Sequence, residues 1–195
     1  MIYGTFVEAC GRFGRQIHFL SRALGHDKTL PVHHHITVEP SEKEDGKFTA
    51  FASDGRRLHV VDPLDCPDGI GVEPGEWRFL RSKPEKEKAW IAKINTGCDN
   101  PIPLNYRKVI PSGKPVFETG YRPVVTEGRL LKERLGDFVK FIIGFPEPTI
   151  IDPDYFAFLD MRVEFWEVSW YGKHKAVVFE SGCLKAVIMP KFFND

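Results

Sequence analysis

Residues 47–61 read Lys47-Phe48-Thr49-Ala50-Phe51-Ala52-Ser53-Asp54-Gly55-Arg56-Arg57-Leu58-His59-Val60-Val61. Two runs rich in aromatic and β-branched residues flank Ser53-Asp54-Gly55, and Gly55 tolerates the positive φ that a tight turn needs. The stretch therefore predicts a hairpin of two strands, over residues 47–52 and 56–61. Working outward, residues 32–39 have strand composition behind Pro31, which suits a strand start. The charged run Ser41-Glu42-Lys43-Glu44-Asp45-Gly46 ends in Asp-Gly and joins that strand to the hairpin as a second turn. Three consecutive strands with short turns between them point to an antiparallel sheet.

The flanks add helices. Phe13, Ile17, Leu20 and Leu24 recur at spacings of four, three and four, which predicts a helix over residues 10–24 with Gly25 as its stop. Gly11 and Gly14 weaken its first turn. Beyond the hairpin, residues 62–75 read as a loop containing Pro63, Pro67 and Pro74, residues 76–82 as a short helix, and residues 89–94 as a strand. Residues 95–123 hold five prolines and read as an extended excursion. Leu130, Leu131, Leu135, Phe138, Val139 and Ile142 then predict a second helix over residues 127–143. Asp152-Pro153-Asp154 can cap a short helix over residues 155–159. Strands are expected over residues 162–170, 176–180 and 184–189. The predicted fold class is α+β. It has two helix-plus-antiparallel-sheet halves, residues 1–94 and 124–195, in one domain.

The chain has 195 residues, 42% of them hydrophobic, with 27 basic and 27 acidic side chains. That composition excludes a disordered chain. No stretch approaches the ~20 apolar residues of a membrane span. The N-terminus lacks the basic-then-apolar order of a signal peptide. Cys10, Cys66, Cys98 and Cys183 are scattered without a CxxC pair, so the expectation is reduced thiols in a cytoplasmic protein. Zero net charge removes the simplest argument for nucleic acid. Charge is segregated, however. The residue 10–24 segment carries Arg12, Arg15 and Arg22 and no acid, and the second helix carries Arg129, Lys132, Arg134 and Lys140 among Glu133 and Asp137. Such faces are solvated by default, or they contact phosphates.

Chemistry-bearing motifs are scarce. His33-His34-His35 lies on a strand, where neighbours point to opposite faces, so the reading is a polar strand face and no metal site. No GxSxG, HExxH, Walker-type or GxGxxG motif occurs. The expectation is a protein that is not an enzyme and holds no cofactor. The aromatic cluster Phe156, Phe158, Phe165, Trp166 and Trp170 reads as core and sheet face, with a hydrophobic groove or subunit interface as the alternative.

Three segments together resemble the bacterial sliding clamp, the β subunit of DNA polymerase III. Ala52-Ser53-Asp54-Gly55-Arg56-Arg57-Leu58 is similar to the family's Ala-Thr-Asp-Gly-His-Arg-Leu hairpin. Tyr106-Arg107-Lys108-Val109-Ile110-Pro111 is similar to its Tyr-Arg-Arg-Val-Ile/Leu-Pro segment, and Ala186-Val187-Ile188-Met189-Pro190 to its Val-Val-Met-Pro end. The resemblance implies a DNA clamp-like fold of β-α-β-β-β halves, with helices lining a central hole and sheets forming the wall. It implies a partner set of double-stranded DNA, held non-specifically through its backbone, and peptides of polymerases or repair proteins. In the family the three segments form a peptide pocket. The matching positions here are Ser53, Gly55, Arg56, Arg57, Leu58, Pro111, Val187, Ile188, Met189 and Pro190. Arg12, Arg15, Arg22, Arg129, Lys132 and Lys140 would face DNA. Two departures stand out: Arg56 replaces a histidine, and Lys191-Phe192-Phe193 replaces Met-Arg-Leu. Family subunits have three domains in a longer chain, so a ring here would need a homo-oligomer of more copies. The alternative implied is a clamp-derived interaction module that does not encircle DNA.

Overall fold

The computed structural model describes residues 2–25, 34–95, 105–121, 146, 151, 155, 163 and 165–190. The chain divides into two compact units, Met1–Tyr106 and Arg107–Asp195.

In the first unit, strand β1 (Ile2–Cys10) runs directly into helix α1 (Gly11–Ser21). Five strands follow: β2 (His35–Pro40), β3 (Phe48–Ser53), β4 (Arg57–Leu64), β5 (Gly75–Lys83) and β6 (Lys88–Asn95). Their order in the sheet is β1-β6-β5-β2-β3-β4, and every pairing is antiparallel. The hairpin expected from residues 47–61 is β3–β4, with Ser53 opposite Leu58 and Phe51 opposite Val60.

Helix α1 lies on one face of this sheet. Phe13, Ile17 and Leu20 are fully buried, as their spacing predicts, and Val7, Ala9, Ala89 and Ile91 are buried beneath the helix side of the sheet. Each of the larger ones, Val7, Phe13, Ile17, Leu20 and Ile91, contributes about 2 kcal/mol by leaving water. Gly14 permits the close approach, because a Cβ there would overlap the Glu87 carbonyl oxygen and lie 2.8 Å from that of Ala9. The helix begins without a side-chain cap and without an acidic residue in its first turn. Carboxylates from elsewhere pair with the arginines near its start: Asp65 with Arg12 at 2.5 Å and Glu87 with Arg15 at 2.9 Å. Buried Gln16 fixes the same loop, donating to Asp65 Oδ2 at 2.7 Å and accepting from the Asp65 amide at 2.8 Å.

Three expectations change in this unit. Residues 76–82 are the middle of β5, not a short helix. Trp77 is fully buried and the β5 register to β2 and β6 is continuous on that side, so sheet pairing overrides a weak local helix preference. The N-terminal segment, given no structure from its sequence, is the nine-residue strand β1. His35 lies on β2, but it is buried and not on a solvated polar face, and desolvation lowers its pKa. His33 lies outside the described residues.

The second unit contains a four-stranded antiparallel meander: β7 (Phe117–Tyr121), β8 (Trp166–Trp170), β9 (Val177–Ser181) and β10 (Leu184–Ile188). Strand β7 falls inside the stretch read as an excursion, because its Pro-rich flanks hide a short alternating strand. Trp166, Val168, Trp170, Val177, Phe179, Ala186, Val187 and Ile188 form its core. The second predicted helix and the short helix after Asp154 lie outside the described residues, so among those residues α1 is the one α-helix.

Candidate functional site

The β3–β4 hairpin is held by its own side chains. Ser53 Oγ donates to the Arg57 carbonyl at 2.8 Å and accepts from the Gly55 amide at 3.0 Å. Asp54 Oδ1 accepts from the amides of Arg56 and Arg57 at 3.0 and 2.9 Å, the Asx-type closure that makes this residue type frequent in turns. Gly55 takes φ +85°, the left-handed backbone expected from the sequence. Asp54 Oδ2 also accepts from Arg57 Nε at 2.8 Å, and both side chains are mostly shielded from solvent. The Arg57 guanidinium is thus engaged inside the turn, while the Arg56 side chain is exposed.

Directly behind the hairpin lies His59, fully buried on β4. Its ring stacks on Phe19 of α1 at 4.3 Å between centroids, and its Nδ1 sits 2.7 Å from the Phe19 carbonyl oxygen. A carbonyl can only accept, so Nδ1 carries the proton. Burial pushes the imidazole pKa down to about 3, and the nearby Arg57 and Arg22 cations act in the same direction. This pair ties the end of α1 to the base of the hairpin.

The remaining candidate positions divide between the units. In the first, Ser53 and Leu58 are buried and Gly55 is exposed. In the second, Val187, Ile188 and Pro190 are buried, whereas Pro111 and Met189 are half-buried. Of the candidate DNA-facing residues, Arg12 and Arg15 are exposed but bound to Asp65 and Glu87. Arg22 is half-buried and donates to His18 Nε2 at 3.3 Å. Arg129, Lys132 and Lys140 lie outside the described residues, as do Lys191, Phe192 and Phe193. Sequence reading missed Asp54, Asp65 and Glu87, which control three of the named arginines. Only the Asp-Gly turn signal pointed to the first of these, and the other two act over long sequence separations.

No protein-family model matches the chain, and no curated protein matches it. Solved structures do. A Borrelia burgdorferi DNA polymerase III β subunit, in complex with a natural product, aligns with a TM-score of 0.61 at 13% identity, covering 98% of this chain and 65% of its own. A Bacillus subtilis DNA polymerase sliding clamp aligns with a TM-score of 0.57 at 10% identity, covering 97% and 64%. A Pseudomonas aeruginosa sliding clamp bound to griselimycin aligns with a TM-score of 0.58 at 12% identity, covering 99% and 67%. This chain therefore spans about 65% of the length of the first clamps it matches. Likeness at such low identity concerns the backbone: the chain has a clamp-like fold.

Proposed function

We propose that this chain is a non-enzymatic, clamp-like protein that associates with duplex DNA through the phosphate backbone and tethers partner proteins through short peptides. The observation that carries the reading is the clamp-like fold over 98% of the chain, on which a clamp-type hairpin motif forms a closed, internally bonded turn. A turn already fixed by Ser53 and Asp54 offers its backbone and Arg56 to a peptide without an ordering cost. Gly55, Arg56 and Arg57, with Ser53 and Leu58 beneath them, are the proposed peptide-contacting residues of the first unit. Pro111, Val187, Ile188, Met189 and Pro190 are those of the second, where a flexible methionine suits varied apolar side chains. Arg12, Arg15, Arg22, Arg129, Lys132 and Lys140 are the proposed DNA-facing set, in a homo-oligomer. Contact with phosphates alone needs no base readout.

Three measurements test this. Size-exclusion chromatography with light scattering is expected to give an oligomer, and a strict monomer at high concentration overturns encirclement. Duplex binding by fluorescence anisotropy is expected to weaken on going from 50 to 200 mM salt and in the Arg12→Glu/Arg15→Glu variant. Unchanged affinity removes the DNA role from α1. A clamp-binding peptide is expected to bind the wild type and to bind Met189→Ala more weakly, whereas absence of binding to both overturns the peptide assignment.

A second reading is a peptide-binding module that does not encircle DNA. The pairing of Arg12 with Asp65 and Arg15 with Glu87 favours it, because the first turn of α1 is internally neutralised. It predicts intact peptide binding in a monomer or dimer with no salt-dependent duplex affinity.

A further inference from the structure

We propose that the sheet face of the first unit opposite α1 binds single-stranded nucleic acid. Register and alternation lay out this face as a grid. Phe6, Ala92 and Arg78 lie opposite one another across β1, β6 and β5; Glu8, Trp90 and Arg81 form the next row; Cys10, Lys88 and Lys83 form the third. The neighbouring residues Val7, Ala9, Ala89 and Ile91 point the other way and are buried. Ser82, between Arg81 and Lys83 in the chain, meets His18 of α1 at 3.0 Å, which confirms that its flanking cations point away from the helix.

Four cations and one carboxylate occupy the grid, and the carboxylate is already committed. Glu8 takes the Lys88 ammonium and the Trp90 indole N–H at 3.2 Å. Arg78, Arg81 and Lys83 are exposed along β5. Arg78 and Lys83 are five residue steps apart, about 16 Å at ~3.3 Å per step. Among the described residues no carboxylate pairs with Arg81 or Lys83, which instead lie over the Trp90 ring at 4.5 and 6.0 Å. Near this row are the two most exposed large apolar side chains among the unit's described residues, Phe6 at 65% and Leu80 at 42%. Each sits at a register irregularity, between Tyr3 and Phe6 on β1 and between Phe79 and Arg81 on β5. Such bulges re-aim side chains and recur beside functional sites.

A line of cations beside the exposed Phe6 ring and the half-buried Trp90 ring, on the face of the sheet away from α1, matches alternating phosphates and unstacked bases. A duplex would use only the cations, since its bases are stacked inside. An acidic protein segment would likewise leave the rings unused. The surface lies on the opposite side of the sheet from α1, so it is separate from Arg12 and Arg15 on that helix.

The test uses the full chain and a fluorescein-labelled dT20 oligonucleotide, followed by anisotropy between 50 and 200 mM salt. Trp77, Trp166 and Trp170 are buried, so quenching of intrinsic fluorescence on titration reports on Trp90. The Arg81→Glu/Lys83→Glu variant is expected to bind at least tenfold more weakly, with a salt slope smaller by about 1.4, two contacts at ~0.7 each. Phe6→Ala is expected to lose about five- to 150-fold, the equivalent of 1–3 kcal/mol for one stacked base, with its salt slope unchanged. Its duplex affinity should not move. All substituted side chains are exposed, and circular dichroism verifies that the variants fold. Wild-type affinity retained in both variants overturns the proposal. So does a glutamate-rich peptide that displaces dT20 equally well from wild type and Phe6→Ala, since that outcome assigns the face to an acidic protein segment.

Discussion

Lowering the pH should destabilise this protein through His59, and replacing that residue should remove the effect. The ring is fully buried and neutral, with a pKa near 3 against 6.5 for the unfolded chain. Between those values the unfolded state binds a proton that the folded state refuses, so stability rises with pH. His59's contribution is therefore complete above pH ~6.5 and is lost progressively as pH falls towards ~3. At 1.36 kcal/mol per pKa unit the full span is worth about 5 kcal/mol, of which about 2 kcal/mol is lost between pH 7 and pH 5. The comparison is His59→Phe, which retains a ring against Phe19 but removes the proton acceptor. Deleting the donor to the Phe19 carbonyl costs the variant about 1–3 kcal/mol at pH 7. Urea unfolding followed by circular dichroism at pH 7 and pH 5 gives the four stabilities. All other titratable groups are common to both proteins and cancel in the difference. The wild type should lose about 2 kcal/mol more than the variant over this interval. Parallel losses would refute the argument, because they would mean that His59 accepts a proton without leaving its place.

Further outcomes follow from the packing. Gly14→Ala should lower Tm in a thermal melt, since overlap with the Glu87 carbonyl, worth about 1–3 kcal/mol, outweighs the ~1 kcal/mol gain in helix propensity; an equal or higher Tm contradicts the close approach. Gln16→Ala should cost about 1–3 kcal/mol and speed hydrogen exchange at the Asp65 amide, which loses its acceptor. Trp170→Ala should cost about 3–5 kcal/mol and expose the second unit to proteolysis, because this buried residue is at the end of β8 paired to both β7 and β9.

The hairpin was the most legible part of the sequence. Its turn type is dictated by Gly55, and its flanking strands are short and adjacent, so local chemistry determines it. The stripe Phe13–Ile17–Leu20 was legible for the same reason, since one helical face is a local pattern. Strand β5 was not, because its outward positions alternate badly: the irregularity at Phe79–Arg81 breaks the period of two, and burial of Trp77 depends on β2 and β6. Strand β1 was missed because its partner, β6, is about eighty residues away. The candidate site was legible as a motif, while its electrostatics were not. A row of arginines with no local acid reads as a basic face, yet Asp65 and Glu87 reach two of them from distant loops. Spacing within a helix carries no information about such partners.

One consequence concerns mechanics. Strand β1 ends at Cys10 and α1 begins at Gly11, with no residue between them, and Gly11 makes the change of direction at φ +58°. A helix joined to a strand without slack has no hinge of its own. Any load applied along β1, which is the outermost strand of its sheet, passes within one peptide bond to the turn bearing Arg12 and Arg15. Tension at the rim of the unit and the placement of those two guanidinium groups are therefore the two ends of a single short lever.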